Sequence, residues 1–233
     1  MMFNNYRLPL LALLLSFPPL SNAEVFPAHM DPVLAMPINN PGPAVRASRL
    51  EPIKVTVFLH DDIPANTRAS INDSYFSAWR TEMESITGRK VEIKYIANQA
   101  PFNNLKYQNV ALDPLLQQLG SDVYEYIRRN NIEISSYRTN KFLLLTKNSL
   151  NASNAGVAYL GGTTAIASMA TYTSPAHELG HLLNGTHERS AVLYNGWWCE
   201  SYIFPTRIAF RSNCYRYSDG NREAIAAYIS DAP

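Results

Sequence analysis

His177-Glu178-Leu179-Gly180-His181-Leu182-Leu183-Asn184-Gly185-Thr186-His187 holds three of the five histidines in a chain of 233 residues. His177 and His181 stand at i and i+4, so a helix projects both imidazoles from one face. Two neutral imidazoles at that spacing can share one zinc ion. Glu178 lies one position round the helix, beside a metal held there but not aimed at it, as a general base for a metal-activated water would be. Ser174-Pro175 reads as the helix start, with Ser174 as N-cap and Pro175 at the first helical position. Asn184-Gly185 reads as its stop, because both residues tolerate the left-handed conformation that ends helices. The turn brings His187 round as a third ligand. Three protein ligands leave a fourth position open, the arrangement of catalytic zinc sites.

The stretch resembles the metzincin zinc-peptidase signature, H-E-x-x-H-x-x-G-x-x-H, in a variant with Asn184 in place of the usual Gly. Asn is the next best residue for a positive φ. Glu188 follows the third His, where reprolysin-type members usually carry Asp. Cys199-Glu-Ser-Tyr-Ile203 and Phe210-Arg-Ser-Asn-Cys214 are similar to the reprolysin pattern Cys-x-x-Met, then Phe-Ser-x-Cys. The resemblance spans residues 53–229, with its specific motifs in 156–214. It departs at the Met-turn, since no Met follows Met169. Ile203 or Phe204 is expected beneath the ligands instead, an apolar replacement that preserves the site.

In metzincins an antiparallel edge strand precedes the zinc helix and lines the cleft. Gly156-Val-Ala-Tyr-Leu-Gly161 resembles that strand, which makes Gly156, Val157, Ala158, Tyr159 and Leu160 candidate substrate-binding residues. A free edge offers N–H and C=O groups to an extended peptide.

Further upstream, Ile53, Val55, Val57 and Leu59 alternate with Lys54, Thr56, Phe58 and His60, a strand pattern. His60 reads as a strand-end residue without catalytic duty. Residues 65–87 carry Ile71, Tyr75, Trp79, Met83 and Ile86 at helical spacing, and Gly88 stops the helix. Val91, Ile93 and Tyr95 give a second strand. Asp113-Pro114 opens a second helix with Leu115, Leu116, Leu119, Val123 and Ile127 inward, weakened at Gly120. Residues 141–147 give a buried third strand. Alternating strands and helices imply parallel pairing. A final helix is expected over residues 219–229, capped by Ser218, with Ile225 and Tyr228 inward.

Residues 1–23 read as a secretory signal. Arg7 is its one charge, residues 8–15 form an apolar run too short to span a bilayer, and Ser21-Asn22-Ala23 fits a cleavage site. The expected location is therefore secreted or periplasmic, without a membrane anchor. Cys199 and Cys214, the only cysteines, read as a disulfide in an exported chain. Closing that short loop is worth about 3 kcal/mol in the chain-entropy model. Residues 24–50 are dense in proline, which opposes helix and strand alike. They could be an arm packed on the domain, a linker, or a pro-segment with Asp31 or His29 as a fourth zinc ligand. A net charge of +1 gives no footing for nucleic acid or an anionic membrane as partner.

Together these features predict a mixed α/β domain over residues 51–233. Its twisted, mostly parallel sheet of about five strands has an antiparallel edge strand, an active-site helix and a C-terminal helix. The resemblance implies a zinc metalloendopeptidase acting on polypeptides, with one zinc held by His177, His181 and His187 and with Glu178 as the base. Two alternatives stand beside it. One is a zinc-binding module without activity. The other is a gluzincin-type hydrolase with Glu200 as third ligand.

Overall fold

The computed structural model describes residues 22–38 and 50–232; residues 1–21 of the expected signal segment lie outside them. In chain order the elements are β1 (Asn22–Pro27), β2 (Ile53–Leu59), α1 (Ser77–Thr87), β3 (Val91–Ala97), α2 (Leu112–Arg129) and β4 (Asn140–Thr146). A hairpin follows, β5 (Asn154–Leu160) and β6 (Thr164–Ser168), then α3 (Ser174–Leu182). A small sheet of β7 (Val192–Tyr194), β8 (Trp198–Glu200) and β9 (Ser212–Asn213) precedes α4 (Asp219–Ser230).

The main sheet has six strands in the order β1-β5-β6-β4-β2-β3. Every pairing in it is parallel except β5 with β6. The mostly parallel mixed sheet and its antiparallel strand before α3 follow the expectation. The sixth strand does not. It straddles an expected boundary: Asn22 and Ala23 belong to the segment read as a signal and residues 24–27 to the proline-rich arm, and this β1 takes the edge of β5 that was expected to be free.

Helices cover both faces, as parallel sheets require. On one side Ile53, Val55, Val57 and Leu59 pack with Trp79 and Met83 of α1, Leu179 of α3 and Ile225 of α4. On the other, Phe58, Phe142 and Leu144 pack with Leu116, Leu119 and Val123 of α2. The alternating pattern of β2 puts Ile53, Val55, Val57 and Leu59 in one core; of the alternate residues, Phe58 is fully buried in the other core, Thr56 is half-buried and Lys54 is exposed.

The long helix expected over 65–87 is broken. A 3-10 segment (Ala65–Ser70) and a π-turn (Asn72–Phe76) precede α1. The extra residue of a π-turn rotates the apolar stripe. Phe76 is therefore fully buried, while Tyr75 stays at the border of the core. Gly88 ends α1 at φ 65°. The inward residues expected of α2 are all buried. Gly120 is tolerated in that helix because Pro32 of the arm packs on it, with a Cβ built there 2.6 Å from the proline ring.

The arm is anchored at Asp31 and Val33. Asp31 accepts hydrogen bonds from Thr163 N (2.6 Å), Thr163 Oγ1 (2.7 Å), Thr164 N (3.2 Å) and Val33 N (3.0 Å). Val33 is fully buried, worth roughly 1.5–3 kcal/mol by transfer. The Tyr137 hydroxyl donates to Met36 O. Among the described residues no helix is long and apolar enough to cross a membrane.

Lys141 is buried behind this anchor. Its ammonium donates to Gly162 O (2.6 Å) and to the Tyr228 hydroxyl (3.2 Å). Desolvation dominates and pushes its pKa down to about 7, with Arg138 adding to the shift and Asp31 opposing it. Between that value and the ordinary lysine value the unfolded chain binds a proton that the native chain does not. Lys141 therefore costs stability progressively as pH falls from about 10 to 7. Thermal melts of Lys141→Met against wild type should shift in the variant's favour over that window and level off below it. A pH-independent difference would refute the assignment.

Candidate metal centre

Helix α3 lies against β5 and β6, and all nine of its residues are buried. Its start differs from the expectation. Thr173 occupies the N-cap position and makes no side-chain cap bond. Ser174 is the first helical residue. Its hydroxyl donates to Ala155 O (3.2 Å) and accepts from Ser168 N (3.3 Å), tying the helix to the hairpin instead of capping it. The expected stop holds: Asn184 adopts φ 70°, and Gly185 N bonds back to Gly180 O at 2.8 Å.

The turn after Asn184 delivers His187. Nε2 of His187 lies 3.0 Å from Nε2 of His177 and 3.1 Å from Nε2 of His181. Two nitrogens on a tetrahedral zinc, each about 2.0–2.1 Å from it, sit about 3.3 Å apart, so the cluster is close to that size. Two of the rings also have backbone partners. Nδ1 of His181 meets Gly185 O at 2.9 Å, and a Tyr202 backbone bond engages His177. Carbonyl partners of this kind fix the tautomer that leaves Nε2 free for a metal. Burial holds all three rings neutral, the ligand form. His177 falls well below the ordinary histidine value, His181 falls to about 3, and His187 is lowered as well.

Glu178 is the other half of the site. It is 1% exposed, and its Oε2 has no hydrogen-bond partner. Desolvation raises its pKa well above the usual carboxylate value. An orphaned buried carboxylate oxygen beside three converging nitrogen lone pairs fits a bound cation and a water ligand. Gly156 of β5 makes room for it: a Cβ there would collide with the Glu178 carboxyl group. A glycine inside an apolar strand marks a close approach of this kind, and that signal was present in the sequence.

Beneath the ligands lies Ile203, fully buried. Its Cδ1 would meet a Cβ on Gly180 at 2.6 Å and would clash with one on Gly185. Of the two residues expected in the place of the missing Met, Ile203 fills it, while half-buried Phe204 lines the adjoining cavity. Two supports gave no sequence signal. Asn221 of α4 accepts from Thr186 N (2.9 Å) and donates to Thr186 O (3.1 Å), holding the His187 loop. Tyr217 accepts from Trp79 Nε1 (2.8 Å) and donates to Ala176 O (2.6 Å), bracing α3 from α1.

No family model matches this chain, and no curated protein matches it. Among solved structures, the chain is similar to the crystal structure of a zinc-dependent peptidase from Methanocorpusculum labreanum (strain Z). Identity is 16% and the TM-score 0.40, over 73% of this chain and 99% of that one.

The other candidate ligands do not join the cluster. Among the described residues only His177, His181 and His187 form such a group. Glu200 instead accepts from Ile208 N (2.8 Å) and faces Arg211 at 3.8 Å. Asp31 is committed to the arm's anchor and His29 is outside the group, so neither supplies a fourth ligand here. His60 bonds to Leu105 O and pairs with Asp62, as a strand-end residue would. Cys199 and Cys214 form the expected disulfide. Residues 156–160 flank the site from β5, with their outer backbone edge paired to β1.

The geometry predicts one zinc equivalent per chain by elemental analysis. His187→Ala should lower metal affinity by at least tenfold, and Glu200→Ala should leave it unchanged. The opposite pattern would transfer the third ligand to Glu200.

Proposed function

We propose that the protein is a secreted or periplasmic zinc-dependent metalloendopeptidase of the metzincin type, closest in its motifs to reprolysins. One observation carries the reading: the Nε2 atoms of His177 and His181 meet that of His187 at 3.0 and 3.1 Å beside an unpartnered, buried Glu178 oxygen. A structural zinc site needs no such carboxylate. The Cys199–Cys214 disulfide supports a location outside the reducing cytosol.

In this reading His177, His181 and His187 hold zinc. When bound, the metal lowers the pKa of a water ligand and polarises a carbonyl as a Lewis acid. Glu178 accepts the proton of the attacking water and delivers it to the leaving amine. Gly156 lets the carboxyl lie flat against β5. Ile203 and the carbonyls of Gly185 and Tyr202 fix the rings, so no ligand must be reoriented when charge develops.

Glu178→Gln keeps size and most hydrogen bonding but removes the proton acceptor. Cleavage of an unfolded polypeptide should fall by about 10²–10⁴-fold while zinc content is unchanged. Cleavage at the wild-type rate would remove Glu178 from the mechanism.

Gly156→Ala forces the buried carboxyl aside without touching a ligand. Misplacement by about 1 Å costs on the order of 10²-fold, so kcat should drop by that factor with metal affinity retained. An unaltered kcat would mean that Glu178 has slack the packing does not suggest.

A further inference from the structure

The arm divides into two parts of different character. Asp31 and Val33 are buried and bonded into the main body. Residues 23–27, by contrast, include no buried residue: Glu24 and Pro27 are exposed, and Ala23, Val25 and Phe26 are half-buried. A short 3-10 turn (Ala28–Met30) joins the two parts. Segments with few buried groups open at lower free energy than those packed in the core, so β1 can leave while the anchor stays.

What β1 covers is the cleft. Ala23 pairs with Gly156, Val25 with Ala158 and Pro27 with Leu160, in parallel register along β5. Gly156 is the residue against which Glu178 rests. Ala23 also walls the cavity lined by His177, Glu178, Glu200, Tyr202 and Arg207, which measures about 30 Å³. A water needs roughly 10–15 Å³, so this space admits a water or two and no substrate side chain. The backbone groups of β5 that an incoming strand would use are already paired.

We infer that residues 22–27 are a displaceable strap, hinged at residues 28–30 and anchored at Asp31 and Val33, which competes with extended polypeptide for the edge of β5. This rests on the peptidase reading above. In this reading residues 24–38 stay with the domain and gate the cleft, while Asn22 and Ala23 belong to the strap only until the expected signal segment is removed. A tethered strand competes at an effective concentration near millimolar, so weakly paired substrates are excluded and long extended segments are favoured. Processing after Ala23, the point expected from the sequence, would leave residues 24–27 of the strap in place and vacate the position beside Glu178.

The test uses the full chain in a Glu178→Gln background, so that binding is read without turnover. The probe is a fluorescein-labelled hexapeptide with the strap's own sequence, Asn-Ala-Glu-Val-Phe-Pro. Val25→Asp/Phe26→Asp should peel β1 from the sheet while leaving the anchor intact, and fluorescence anisotropy should report at least tenfold tighter peptide binding. Val25→Cys/Ala158→Cys, once crosslinked, should abolish binding; this second variant keeps β1 paired to β5 and moves the readout the other way. Amide exchange in the unaltered chain should be faster over residues 23–27 than at Val33 and Leu34. Folding is checked by the thermal melt. Unchanged or weaker peptide binding in folded Val25→Asp/Phe26→Asp, or full binding in the crosslinked chain, overturns the strap. If the peeled variant binds peptide more tightly but, with Glu178 restored, cleaves no polypeptide, the strap stands and the peptidase reading falls.

Discussion

Three ring nitrogens gathered in one place, with His187 Nε2 at 3.0 and 3.1 Å from those of His177 and His181, form an arrangement that no helix adopts unaided. The rest of the structure supplies what holds it. Helix spacing brings His177 and His181 together, but His187 arrives only because Asn184 takes a positive φ and Asn221 grips Thr186 at both its amide and its carbonyl. Tyr217 then braces the helix from behind through Ala176 O. This is preorganisation in its plain physical sense: the cost of bringing like groups together is met in folding, before any ligand arrives.

Sheet and site share the same residues. Gly156 is a ladder residue of β5 and also the space into which Glu178 fits. Gly180 stands between the two helical ligands and also admits Ile203. In both places the missing side chain does the work. Ile203 fits a slot shaped by the two glycines, Gly180 and Gly185.

The local parts of this architecture were legible and the long-range parts were not. The histidine spacing, the Asn184 stop, the Gly88 stop and the inward face of α2 depend on neighbours three or four residues away, and the sequence displays those directly. The π-turn before α1 was hidden because one inserted residue leaves the composition unaltered while turning the stripe from Tyr75 to Phe76. Ser174 was misplaced because a serine before a proline looks the same whether its hydroxyl caps a helix or reaches a neighbouring strand. The arm was least legible. Prolines at 27 and 32 argue against regular structure, yet β1 ends at Pro27, and Pro32 finds its partner at Gly120, far along the chain. Nothing local announces Asp31 as a buried anchor, because its partners, Thr163 and Thr164, lie far along the chain, in the turn before β6 and at its first residue.

The two ends of the main sheet are protected by different means. β3 forms one outer edge and carries exposed Glu92 and Lys94, charges that discourage pairing with another molecule. Residues 155–160 of β5, Ala-Gly-Val-Ala-Tyr-Leu, have no charge at all, and bare they would be a ready template for a neighbouring chain. β1 covers that edge with Glu24 turned to solvent. The proline-rich arm thus doubles as a guard of solubility.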